Sequence, residues 1–131
     1  MSLLSIHELS RPCVRAELMG EAVRAAKRYE SGAAAARVED VIRKVGRGAD
    51  HREIPGKGQA RGHAAPQTFK RDRLVRGLEA ARRKKMSPCG EREALHVVKE
   101  PVCLVSSNSS TVKIRSSDEL VVVVGALMKG K

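Results

Sequence analysis

The chain has 131 residues, 26 Lys and Arg against 15 Asp and Glu, and a formal net charge of +11. Tyr29 and Phe69 are its only aromatic side chains and Trp is absent, so any core is aliphatic and thin; this and the length indicate one small domain overall, with partial disorder. No apolar run approaches the ~20 residues of a membrane span, and the opening MSLLSIHELSRPC has too short an apolar run for a secretory signal.

Residues 2–12 read as a short leader, with Ser10, Arg11 and Pro12 offering a cap and a break. From Val14 to Tyr29, Leu18, Ala22 and Ala25 or Ala26 recur at helical spacing. A second helical run spans Ala33 to Val45, and Ser31-Gly32 forms the turn between them. Residues 1–45 are therefore expected to be an antiparallel helical hairpin. A helix-turn-helix reading is weaker: Arg28 stands where a small buried residue is wanted, and AAAARVED offers little that reads a base edge.

Residues 46–67 hold five glycines and two prolines without apolar periodicity, which reads as a flexible linker. The linker leads into residues 68–131, a basic helix and a short antiparallel β-meander. Thr68 to Lys85 contains eight of the basic residues and two acids, Asp72 and Glu79. Thr68 is placed to cap a helix whose apolar stripe is Leu74, Leu78 and Ala81, and Ser87-Pro88 stops it. Gly77 is its weak point.

Beyond it, Glu91 to Lys99 mixes helix and strand signals. Val102–Val105, Thr111–Arg115 and Leu120–Val124 read as strands, and a helix over Glu119–Met128 is the alternative for the last. The fold class expected is small α+β.

The charge is concentrated. Residues 46–90 hold twelve basic and four acidic side chains, while both ends are nearly balanced. Cations so crowded attract polyanions and release their counterions. The expected function is non-specific RNA or DNA binding along the phosphate backbone, through Lys70, Arg71, Arg73, Arg76, Arg82, Arg83, Lys84 and Lys85. Lys70-Arg71, ten intervening residues and Arg82–Lys85 also resemble a bipartite nuclear-localisation signal, which implies a nuclear interaction protein with an import receptor as partner. A third reading is an orphan reading-frame product without a selected role.

Cys13, Cys89 and Cys103 are odd in number and widely spaced, as expected of reduced thiols inside a cell, with the nucleus or an organelle both open. Cys89, His96 and Cys103 recur every seven residues without the close pair that zinc sites use, so neither a metal nor a cofactor is expected. His7, His51 and His63 lie in polar stretches and read as solvated. No nucleophile, base and orienting group share a recognisable context, so no enzyme is expected.

Overall fold

The computed structural model describes residues 2–37, 43–45, 51–53, 61–88, 90–107 and 112–129. The elements run β1 (Leu3–Ile6), α1 (Ala16–Tyr29), β2 (Ser31–Arg37), β3 (Arg43–Val45), β4 (His51–Glu53), β5 (Arg61–Lys70), α2 (Arg71–Arg83), α3 (Glu91–Val97), β6 (Leu104–Ser107) and α4 (Ser117–Lys129). Four strands form one mixed sheet in the order β1-β5-β2-β6, and β3 pairs with β4 in a separate antiparallel ladder. β5 is antiparallel to both of its neighbours, and β6 is parallel to β2, so β1, β2 and β6 point the same way. The small α+β class expected from the sequence holds at this level. The layout differs.

α1 forms as its periodicity predicts, burying Leu18, Ala22 and Ala26 and ending where Glu30 takes a left-handed φ of 65°. The described residues of the run after it, 33–37 and 43–45, are strand and not a second helix, and residues 38–42 lie outside the described residues. Alanine favours helices by only tenths of a kcal/mol per residue, and tertiary packing overrides that preference. Residues 31–35 are buried in the middle of the sheet, where α1 crosses so closely that a Cβ on Gly32 would lie 2.2 Å from the Ala22 carbonyl oxygen. Small side chains are what this crossing requires, and the alanine run records it.

The expected linker overlaps β5, whose residues 64–69 are buried. Its register against β2 slips between Ala33 and Ala35, beside Pro66, which has no N–H to give to a ladder. Residues 46–50 and 54–60 of that expected linker lie outside the described residues, as do Cys89 and residues 108–111. Thr68 caps nothing. It sits in β5, where its Oγ1 is 2.8 Å from Ser5 Oγ, and Lys70 is the N-cap of α2.

Two apolar clusters lie on the two faces of the sheet. Leu18 of α1 meets Ala34, Ala64 and the partly buried Val105; Phe69 meets Leu74, Leu95, Ile6 and Val102. α2 turns Leu74, Gly77, Ala80 and Ala81 inward, while Leu78 is 44% exposed. Gly77 is no weak point, because α3 passes so near that a Cβ there would be 2.7 Å from Ala94 O.

Of the expected meander, β6 forms but joins the sheet in parallel with β2, and residues 112–115 are not a strand. The valine run 121–124 is helical. Ser116 Oγ accepts from Glu119 N at 3.4 Å, and this Ser-x-x-Glu start outweighs the β preference of valine. Among the described residues no helix is long and apolar enough to cross a membrane.

Candidate functional site

Because β1, β2 and β6 run in one direction, their carboxyl ends share one edge of the sheet. In open α/β sheets that edge is where ligands bind, since loops there place side chains without having to bury them in the core. β1 ends at Ile6, and the chain turns at once through His7, Glu8, Ser10 and Arg11. Arg11 N donates to Glu8 O at 3.0 Å, which closes the turn. The segment returning after β6 docks on it: Ile114 N donates to Ser10 O at 2.8 Å.

This docking brings together groups from opposite ends of the chain. Arg11 Nε donates to Glu8 Oε2 at 2.8 Å, and Lys113 Nζ stands 3.6 Å from the same oxygen. Arg11 is 7% exposed, whereas Glu8 and Lys113 are each about a third exposed, so the cluster opens to solvent on the side of Glu8 and Lys113. The hydrogen bond from Arg11 is the main reason that the Glu8 carboxyl is held below its usual value. Partial burial opposes this, and the charges of Arg11 and Lys113 reinforce it. His7 Nε2 lies 2.9 Å from Arg11 O, which can only accept, so Nε2 carries the proton of this bond. Nδ1 is buried and makes no hydrogen bond.

Two cations thus face one carboxylate at a partly open site. An incoming phosphate or carboxylate can take over from Glu8 with charge-assisted hydrogen bonds, with Arg11 supplying a planar fork and Lys113 a mobile point charge. Sequence reasoning missed all four residues. His7 was expected to be solvated, Arg11 to be part of a helix break, and Lys113 to lie on an alternating strand. The one local signal is a short strand followed at once by His-Glu and a buried Arg.

The eight cations expected to bind nucleic acid lie elsewhere. Lys70 ends β5 at the opposite edge of the sheet and pairs with Glu30 at 2.9 Å. Arg73 is buried; it hydrogen-bonds Glu100, pairs with Glu30 at 3.1 Å and donates to Tyr29 O at 3.2 Å. Arg76 pairs with Glu100 at 3.2 Å, and Arg71 contacts Asp72 at 3.6 Å. The hydrogen bond from Lys70, then the charges of Lys70, Arg73 and Arg76, hold Glu30 below its usual carboxyl value. Arg82, Arg83, Lys84 and Lys85 are exposed at the far end of α2. Of the eight, then, Arg73 is buried, Lys70, Arg71 and Arg76 are paired with Glu30, Asp72 and Glu100 at the surface, and Arg82, Arg83, Lys84 and Lys85 are exposed at the helix end. Among the described residues, no three His, Cys, Asp or Glu side chains gather as a metal site.

A polar, cationic cluster beyond the carboxyl ends of the parallel strands stands where open α/β sheets bind their ligands. A family model, IspD: 2-C-methyl-D-erythritol 4-phosphate cytidylyltransferase, matches residues 2–129, and the chain belongs to that family. The 2-C-methyl-D-erythritol 4-phosphate cytidylyltransferase from Thermus thermophilus superposes with a TM-score of 0.84 at 25% identity, over 96% of this chain and 62% of that one. The 4-diphosphocytidyl-2C-methyl-D-erythritol synthase from Anaerococcus prevotii gives 0.88 at 16% identity, over 96% and 58%. The Francisella tularensis 2-C-methyl-D-erythritol 4-phosphate cytidylyltransferase gives 0.81 at 17%, over 94% and 58%. The chain thus spans about three fifths of the length of these structures. No curated protein sequence matches it.

Family membership corrects the functional expectations. A chain matched from end to end by a metabolic enzyme family is neither a nucleic-acid binder, nor a nuclear interaction protein seeking an import receptor, nor an orphan reading-frame product. The expectation that it is not an enzyme falls with them. The charge crowding was real, but the acids that answer Lys70, Arg73 and Arg76 lie at Glu30 and Glu100, far off in sequence.

Proposed function

We propose that this chain takes part in transferring a cytidylyl group to the phosphate of 2-C-methyl-D-erythritol 4-phosphate, the reaction named in its family's description. In such a transfer an oxygen of the phosphate monoester attacks the α-phosphorus of a cytidine triphosphate. A P–O–P bond forms, the bond to the β-phosphate oxygen breaks, and pyrophosphate leaves. Negative charge dominates every species on this path, so catalysis rests on positioning and on cations fixed in advance.

In this reading Arg11 and Lys113 hold phosphate oxygens. Glu8 keeps the two cations together before a ligand arrives and gives them up to it. His7, through Arg11 O, fixes the turn that carries the guanidinium. The observation that supports the reading best is the pairing of both cations on Glu8 at the carboxyl edge. An intracellular setting goes with it, as do the free thiols of Cys13 and Cys103.

Titration of the labelled chain with 2-C-methyl-D-erythritol 4-phosphate, and separately with cytidine triphosphate, tests the reading by NMR. Saturable shifts are expected at residues 7–11 and 113 with at least one ligand. Lys113→Ala should weaken that binding about tenfold, equivalent to ~1.4 kcal/mol. Absence of saturation with either ligand would overturn it.

A further inference from the structure

α3 ends in a reversal. Lys99 takes a left-handed φ of 57°, and Glu100 N donates back to Leu95 O at 3.1 Å, so the chain turns back beside the helix on its way to β6. Between α3 and this returning segment lies a hollow of about 620 Å³, within the size range of small-molecule sites. Val102 lines it and is backed by the Phe69, Leu74 and Leu95 cluster. Pro101 and Leu104 add apolar surface, and Leu104 is 43% exposed. The hollow lies beside the amino end of β6, whereas Glu8, Arg11 and Lys113 stand at the carboxyl edge; the two places share no residue.

Four ionisable side chains surround the apolar surface: Arg92, Glu93, His96 and Glu100. They are not equivalent. Glu100 is already engaged, by Arg73 and by Arg76, and since both belong to α2 this wall is fixed before any ligand arrives. Arg92 and His96 stand four residues apart on one side of α3, and among the described residues neither pairs with a carboxylate. The donors left over are thus a guanidinium and an imidazole N–H beside an apolar floor. Together they attract one negative charge, and Glu93 and Glu100 repel a second.

We infer that this hollow binds an amphipathic monocarboxylate, with its carboxylate on Arg92 and His96 and its apolar body on Val102 and Leu104. The guanidinium offers a planar fork to the two carboxylate oxygens, which sets orientation, while the apolar floor supplies contact area. A phosphate monoester is the poorer ligand, because its second charge faces the two glutamates. The inference does not depend on the proposed cytidylyl transfer, whose ligands are phosphates.

The test titrates the labelled full chain with 3-phenylpropionate, 3-phenylpropan-1-ol and 3-phenylpropyl phosphate, which share one apolar body and differ in charge. Saturable NMR shifts are expected at residues 90–104 with the carboxylate, and binding at least about tenfold weaker for the alcohol and for the phosphate. Octanoate, titrated alongside, tells an alkyl body from an aryl one; saturation by either acid supports the inference. Arg92→Ala should weaken carboxylate binding about tenfold, and Arg92→Lys by less, because lysine keeps the charge and loses the fork. Arg92 is partly exposed, and a circular dichroism spectrum like the parent's shows that the variant is folded. The quadruple alanine variant of Arg82, Arg83, Lys84 and Lys85 removes more positive charge from the same chain and should bind as the parent does. No saturation with either acid, an alcohol that binds as tightly as the carboxylate, or indifference to Arg92→Ala would each overturn the inference. So would equal weakening by the quadruple variant, which would reduce the binding to general attraction of an anion by a basic chain.

Discussion

Lys113 Nζ and Glu8 Oε2, contributed by opposite ends of the chain, stand 3.6 Å apart at the carboxyl edge of the sheet. Arg11 reaches the same oxygen from within its own turn. The ends of the polypeptide are thus joined through one carboxylate, and this carboxylate links stability to the state of the site.

Glu8→Gln should expose that link in the pH dependence of thermal unfolding. The Glu8 carboxyl is held below its ordinary 4.5, first by Arg11. A depressed carboxyl contributes stability that is complete above the unfolded value and is lost as pH falls through the lower folded value. The parent should therefore lose Tm on acidification below about pH 4.5 more steeply than the variant, and the two should differ most at about pH 7. Glu30, depressed chiefly by Lys70, contributes to the same limb of the curve, so Glu8→Gln should flatten it only in part. Parallel acid limbs in parent and variant would contradict the coupling.

At the opposite edge of the sheet, Arg73 holds α1, α2 and the approach to β6 together through Tyr29 O, Glu30 and Glu100. Arg73→Leu keeps the bulk but leaves Glu100, only 22% exposed, with Arg76 alone. Removing one of the two partners of a partly buried charge costs about 1–3 kcal/mol, whereas changes at well-exposed charges stay within about 0.5 kcal/mol. Urea unfolding should therefore separate Arg73→Leu sharply from the quadruple alanine variant of Arg82, Arg83, Lys84 and Lys85. Comparable midpoints for the two would mean that the buried network carries no more weight than the exposed helix end.

What the sequence revealed of this fold depended on how locally each element is determined. α1 was legible because Leu18, Ala22 and Ala26 repeat at helical spacing and face the core. α2 was legible in type and extent, although its start is set by Lys70 and not Thr68. β2 was hidden because four alanines signal helix by propensity, and the reason for them, the passage of α1 over Gly32, is a long-range contact. α4 was legible only as the alternative to a strand, because a valine run signals strand and its start at Ser116 and Glu119 is the quieter cue. The candidate site was hidden most completely: residues 7–11 and Lys113 meet only once β1, β2 and β6 are known to point the same way. The basic helix was conspicuous in the sequence because its carboxylate partners, Glu30 and Glu100, lie outside it.

Three glycines give a graded test of the close approaches that replaced the expected hairpin and meander. Gly32→Ala places a Cβ 2.2 Å from Ala22 O, a fixed backbone atom, so α1 must move off the sheet. Gly77→Ala meets Ala94 O at 2.7 Å, where α3 is short and has more room to give. Overpacking of this kind costs about 1–3 kcal/mol, and Gly32→Ala should fall at or beyond the top of that range. Gly125 has nothing within 4 Å and lies inside α4, so Gly125→Ala should stabilise that helix by about 1 kcal/mol, the ordinary difference between the two residues in a helix. Denaturant midpoints and hydrogen exchange in residues 117–129 measure all three. If residues 31–37 were helical, Gly32→Ala would raise stability, and if residues 120–124 were a strand, Gly125→Ala would leave exchange in residues 117–129 unchanged; either result would refute the corresponding element.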